Sequence, residues 1–160
     1  MELANVFCKF IKVKMSTFSN FNTDYAGDVS AQEAWQILAT DPSSQLIDVR
    51  SDAEWNFVGY PDLTPIGKKL IRLSWKLYPQ MMMNSAFLNS LQDTIENRNA
   101  KLFFICKTGG RSRESAIATT AVGYKHCYNI SDGFEGPQDQ HKHRGLIKGW
   151  KAAGLPWEQN

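Results

Sequence analysis

Short apolar runs alternate with amphipathic stretches along most of the chain. Leu46-Ile-Asp-Val49 and Lys101-Leu-Phe-Phe-Ile105 are strand-length and almost continuously apolar, the pattern of strands covered on both faces. Lys69-Leu-Ile-Arg-Leu73 alternates with period two, and His126-Cys-Tyr-Asn-Ile130 reads as a further strand. Helical signals lie between them. Ser30-Ala-Gln-Glu33 and Ser51-Asp-Ala-Glu54 are capping boxes, in which the serine serves an amide and the glutamate reaches back. The first predicts a helix through Leu38, ended by Asp41-Pro-Ser-Ser44. The second predicts a short helix with Trp55, Phe57 and Val58, broken by Gly59-Tyr-Pro61. Asn84 caps a helix through Ile95 with Phe87, Leu88, Leu91 and Ile95 on one stripe, and residues 112–122 read as another helix. Strands alternating with helices predict an α/β fold with a mainly parallel sheet covered on both faces.

The two ends read differently. Residues 1–27 are expected to be an N-terminal extension and residues 28–160 a single domain. Met1 to Lys14 interleaves Phe7, Phe10, Ile11 and Val13 with lysines, without the unbroken apolar core of a signal peptide. Residues 136–145 are polar and predict an exposed loop. Residues 147–153 predict one or two helical turns, stopped by Gly154-Leu-Pro156, with Trp157 packing back on the body.

Composition narrows the class. The chain has 160 residues, 42% hydrophobic and 21% charged, which suits one soluble domain with a real core. A net charge of +2 gives no footing for nucleic acid or an anionic membrane surface. No apolar run approaches the ~20 residues that span a bilayer. The three cysteines, Cys8, Cys106 and Cys127, are widely spaced and form no C-x-x-C pair. That excludes a disulfide framework or cysteine-rich zinc site and fits a reducing compartment, with the cytoplasm as the expected location.

The chemistry concentrates in Cys106-Lys107-Thr108-Gly109-Gly110-Arg111, between an apolar strand and a helix. In parallel sheets, sites form outside the carboxyl ends of the strands. Amides of a glycine-bearing turn, a helix N-terminus and an arginine all favour an anion there. They favour a thiolate over a thiol, and the thiolate is the nucleophile.

These segments together resemble the rhodanese sulfurtransferases. Leu46-Ile-Asp-Val-Arg50 with Glu54-Trp55 looks like the family's early strand, and Cys106-Lys-Thr-Gly-Gly-Arg-Ser112 like its active loop. Asn129-Ile-Ser-Asp-Gly-Phe134 and Gly149-Trp-Lys-Ala-Ala-Gly-Leu-Pro-Trp157 resemble its later segments, so the likeness covers about residues 28–158. The resemblance implies a three-layer α/β/α fold around a five-stranded parallel sheet. It implies a ping-pong reaction in which Cys106 takes sulfur from thiosulfate or another anionic donor as a persulfide. A thiol, cyanide or a protein then accepts it, with no metal or organic cofactor. The loop of Lys107, Thr108, Gly109, Gly110, Arg111 and Ser112 is expected to bind the persulfide anion. Lys107, Arg111 and Arg113 are expected to orient the donor. A sulfur-relay or binding module is the alternative from another class. A cysteine phosphatase of the cell-cycle type is the other competitor, but it places five residues between cysteine and arginine where this chain has Lys107 to Gly110.

Asp48, Arg50 and Glu54 are supporting candidates, read chiefly as paired charges at a strand end, with Glu54 or a neighbouring loop as the partner. Glu114, three residues after Arg111, either positions it or faces solvent. Cys127, in an apolar strand, reads as a buried hydrophobe rather than a resolving thiol. His141 and His143 lack a third ligand and read as a solvated loop. With Lys142, Arg144, Lys148 and Lys151 they form a basic patch that meets an acidic partner, flanks the substrate entrance or is ordinary surface. Met81–Met83 either packs under a loop or offers an adaptable contact surface.

Overall fold

The computed structural model describes residues 24–160. Most of the expected extension, Cys8 included, lies outside the described residues. Among the described residues, nine strands, four helices and a 3-10 turn follow in the order β1 Gly27–Val29, α1 Ala31–Thr40, β2 Gln45–Asp48, α2 Asp52–Val58, β3 Tyr60–Pro61, the 3-10 turn Thr64–Ile66, β4 Ile71–Arg72, β5 Lys76–Leu77, β6 Met82–Met83, α3 Phe87–Thr94, β7 Lys101–Ile105, α4 Gly110–Ala121, β8 His126–Ile130 and β9 Trp157–Glu158. The central sheet has five strands in the order β1-β8-β7-β2-β4, and every pair in it is parallel.

Alternation along β7 explains the layers. Leu102, Phe104 and Cys106 face one core with Phe87 and Leu91 of α3 and Ala116 of α4. Phe103 and Ile105 face the other, with Ala31, Ala34 and Leu38 of α1. Residues buried in this way leave water by both faces, which is why β7 lacks a polar side. Both capping boxes form: Ser30 pairs with Glu33 and Ser51 with Glu54. Trp75 and Trp150 are buried, and Trp35 meets Trp150 edge-on at 5.8 Å.

Some local features differ from the sequence expectation. The sheet begins at β1, whose first residue belongs to the expected N-terminal extension: Gly27 pairs with Tyr128, and the Ala26 amide donates to Cys127 O at 2.8 Å. The alternating run 69–73 forms only the two-residue β4. Residues 147–153 form turns rather than a helix. The amides of Trp150 and Lys151 donate to Gly133 O and Phe134 O, so they cannot build a helical ladder. Met82 and Met83 form an exposed hairpin strand paired with β5, which decides the open choice for Met81–Met83 in favour of surface over packing beneath a loop. Trp157 does return to the body, in β9 against β3 and edge-on to Phe134. No helix among the described residues is long and apolar enough to cross a membrane.

Candidate functional site

Cys106 follows the last residue of β7, a strand flanked on both sides by β2 and β8. The turn Cys106–Gly109 leads straight into α4. Cys106 is 1% exposed, and its Sγ accepts from the Gly109 N–H at 3.1 Å and lies 3.1 Å from Ser112 Oγ. The sulfur therefore sits at the base of a cradle over the N-terminus of a helix, whose first amides lack intrahelical acceptors.

The loop after β8 fixes that cradle. Phe134 N–H donates to Cys106 O at 2.8 Å, and the amides of Glu135 and Gly136 donate to Lys107 O at 3.1 and 3.2 Å. This approach requires glycine at two points. A Cβ on Gly109, at φ +102°, would stand 2.5 Å from Ser131 O; one on Gly133, at φ +70°, would stand 2.3 Å from Lys107 O.

Arg111 does not point free into the cradle. Its two terminal nitrogens grip Glu54 at 2.8 and 2.7 Å, a forked pair joining α4 to α2. Burial alone would raise the Glu54 carboxyl. The hydrogen bonds from Arg111 and from the Ser51 amide and hydroxyl outweigh it and hold the group at about 2. The same pair raises Arg111, with smaller contributions from the charges of Cys106 and Asp48.

The other expected site residues separate clearly. Asp48 and Arg50 pair with each other at 2.6 Å, both fully buried, rather than with Glu54. Arg50 also donates to Gly59 O at 2.8 Å and lies 4.1 Å from the Phe134 ring, so it braces the loop that holds Cys106. Glu114 does not position Arg111. It accepts from Trp75 Nε1 at 2.8 Å and faces Lys76 at 3.5 Å. The Arg113 guanidinium lies over Tyr25, 5.7 Å from the ring. Lys107 is half-buried and Thr108 exposed. Beside Thr108 opens a cavity of about 570 Å³ lined by Ser131, Asp132, Arg144 and Lys148 among others. Two members of the basic patch thus flank the loop, whereas Lys151 turns inward to Val58 O at 2.9 Å. Cys127 is buried in β8, and burial pushes its thiol up to about 11. Asp139 Oδ1 accepts from the His141 and His143 amides, and no metal-holding cluster occurs among the described residues.

Three residues near the sulfur had no role assigned from sequence: Asn129, Asp28 and Tyr25. Ser112 Oγ lies 2.6 Å from Asn129 Oδ1, Asn129 donates to Asp28, and Tyr25 does the same. The available signal was an asparagine at a buried position of β8, which needs a partner there.

A cysteine cradled between a central parallel strand and a helix, in an α/β/α domain, defines the rhodanese-like class. The chain belongs to the rhodanese-like family described as STR4 middle domain, which it matches over residues 26–160. It is 40% identical to an uncharacterized protein of Rickettsia rickettsii over 131 residues, 82% of this chain and 96% of that one. It is 31% identical to the chloroplastic rhodanese-like domain-containing protein 4 of Arabidopsis thaliana, covering 82% of this chain but 25% of the plant protein. Among solved structures, Rv0390 from M. tuberculosis superposes with a TM-score of 0.78 at 41% identity, over 85% of this chain and 99% of that one. The polysulfide-sulfur transferase homodimer of Wolinella succinogenes shares the fold at a TM-score of 0.60 and 23% identity, over 86% of this chain and 80% of that one.

Proposed function

We propose that the protein is a sulfurtransferase with Cys106 as its sulfur-carrying nucleophile. The observation that carries this reading is the environment of Sγ, within 3.1 Å of both the Gly109 N–H and the Ser112 hydroxyl at the start of α4. Such donors favour negative charge on sulfur.

In the first half-reaction the Cys106 thiolate attacks the outer sulfur of thiosulfate. The sulfur–sulfur bond breaks, sulfite leaves with the electron pair, and Cys106 carries a persulfide anion. In the second, a thiolate, cyanide or a protein thiol attacks the outer sulfur of the persulfide. Cys106 thiolate leaves and is ready again. Neither half needs a metal or an organic cofactor. The engagement of Arg111 by Glu54 weighs against a phosphatase, which needs that fork for a phosphoryl group. The cationic margin of Lys107, Arg144 and Lys148 suits an anionic donor.

Intact mass spectrometry tests the reading. After incubation with thiosulfate the mass should rise by one sulfur, mapped to Cys106 and lost on adding cyanide or a thiol. Cys106→Ser should fold normally and gain none. An unchanged mass with thiosulfate, mercaptopyruvate and a persulfide donor would overturn the assignment.

A further inference from the structure

Behind Cys106 runs an unbroken row of side-chain hydrogen bonds. Ser112 Oγ stands between Cys106 Sγ at 3.1 Å and Asn129 Oδ1 at 2.6 Å. Asn129 Nδ2 donates to Asp28 Oδ1 at 2.9 Å, and the Tyr25 hydroxyl donates to the same oxygen at 2.8 Å. Asp28 and Asn129 are register partners across β1 and β8, so strand pairing itself creates that contact. Ser112 is fully buried and Asn129 is 2% exposed.

The chemistry of these groups fixes their direction. An ionised carboxylate only accepts, so the Asn129 nitrogen must face Asp28 and its oxygen must face Ser112. That amide oxygen also only accepts. Ser112 thus has one hydrogen and two claimants, Asn129 Oδ1 and a thiolate at Cys106. With a thiol, the S–H donates to Ser112 Oγ and the serine donates to Asn129, so every group is satisfied. With a thiolate, the serine turns to sulfur and the buried Asn129 oxygen loses its donor, which is costly. With a persulfide, the charge has moved to the outer sulfur and Sγ is neutral. The serine hydrogen then returns to Asn129.

We propose that Asn129, oriented by Asp28, is a positioning residue that competes with Cys106 for the Ser112 hydrogen and so favours the persulfide over the bare thiolate. The persulfide half of this statement rests on the sulfurtransferase reading. The competition for the hydrogen does not.

The test follows the pH dependence of Cys106 alkylation by iodoacetamide, mapped by peptide mass. Asn129→Leu removes the competing acceptor at similar size, and the midpoint should fall by about one pH unit. In parallel, the equilibrium for sulfur loading from a fixed thiosulfate–sulfite mixture should fall about tenfold, the same difference read on the other state. Asp28→Asn changes an exposed position, lets the amide turn over, and should move the midpoint the same way by less. In a Ser112→Ala background both substitutions should lose their effect, because no hydrogen remains to redirect. The other charges around the cysteine loop, Arg111 with Glu54, the Asp48–Arg50 pair and Lys107, are unchanged in every variant. An unmoved or raised midpoint in Asn129→Leu would overturn the proposal. So would a shift that persists without Ser112, since a purely electrostatic or structural effect does not need the hydroxyl. If Asn129→Leu fails to fold, Asp28→Asn with and without Ser112 decides the same question. Alkylation needs no sulfur donor, so a protein that never loads sulfur yet shows these shifts would refute the sulfurtransferase reading and leave the competition standing.

Discussion

Two acid–arginine pairs stand near the carboxyl ends of the central strands, and burial separates their roles. Asp48 and Arg50 meet at 2.6 Å with neither side chain exposed. Arg111 and Glu54 meet at 2.7 Å with 16% and 19% of their side chains exposed. The first pair joins residues two apart at the end of one strand, and its arginine also reaches Gly59 O and the Phe134 ring. The second spans 57 residues of sequence and ties the helix of the cysteine loop to α2. A buried charge has no water to replace a lost partner, so Asp48 and Arg50 must stay together whatever happens at the sulfur. The Glu54–Arg111 pair borders the cradle and contributes to its field. Identical chemistry thus sits in the framework in one place and beside the candidate site in the other.

Breaking the framework pair should have the largest effect. Asp48→Ala strands Arg50 beneath Phe134 without a counter-charge and should cost ~3–5 kcal/mol by urea unfolding. A loss below about 1 kcal/mol would mean that Arg50 reaches solvent after the change, and the contrast between the pairs would fall.

Acid probes the other pair. Glu54 is held at about 2, against an ordinary 4.5. A carboxyl lowered by folding stabilises the native state fully above its unfolded value and loses that contribution as pH falls through its folded value. The window is therefore from about pH 4.5 down to about pH 2. For a partly exposed pair the contribution is about 2 kcal/mol. Urea midpoints should fall more steeply through this window in the native sequence than in Glu54→Gln. Parallel curves would uncouple the pair from folding.

The contrast also marks what was legible in the sequence. The strand, cysteine turn and helix over 101–121 are local signals: an apolar run, two glycines and a helical stretch. Both capping boxes are equally local, each closing over three residues. The partner of Arg111 was not local. Helical spacing offered Glu114, but tertiary packing turned Glu114 to Trp75 and brought Glu54 from α2. Edge strand β1 was missed because Gly27-Asp-Val29 carries no apolar run of its own. It is a strand because β8, about a hundred residues later, pairs with it. The role of Asn129 was hidden for the same reason, since it depends on Asp28 across that pairing. Residues whose function comes from a distant register partner leave little trace in local pattern.

The smallest effect separates two meanings of Arg111. Arg111→Lys keeps the positive charge near Cys106 but gives up the fork on Glu54, and should cost ~1 kcal/mol of stability. If Arg111 acts by holding α2 and the loop, Arg111→Lys and Glu54→Gln should slow sulfur uptake alike. Each should slow uptake from thiosulfate and from a protein persulfide by the same factor, about three- to tenfold for a misplaced cradle. Half-reaction rates with the two donors measure this directly. The geometry favours that outcome, because both terminal nitrogens of Arg111 already serve Glu54. A loss confined to thiosulfate would instead put Arg111 on the anionic donor. Glu54 would then have to release it during turnover, and the second pair would differ from the first in being made to open.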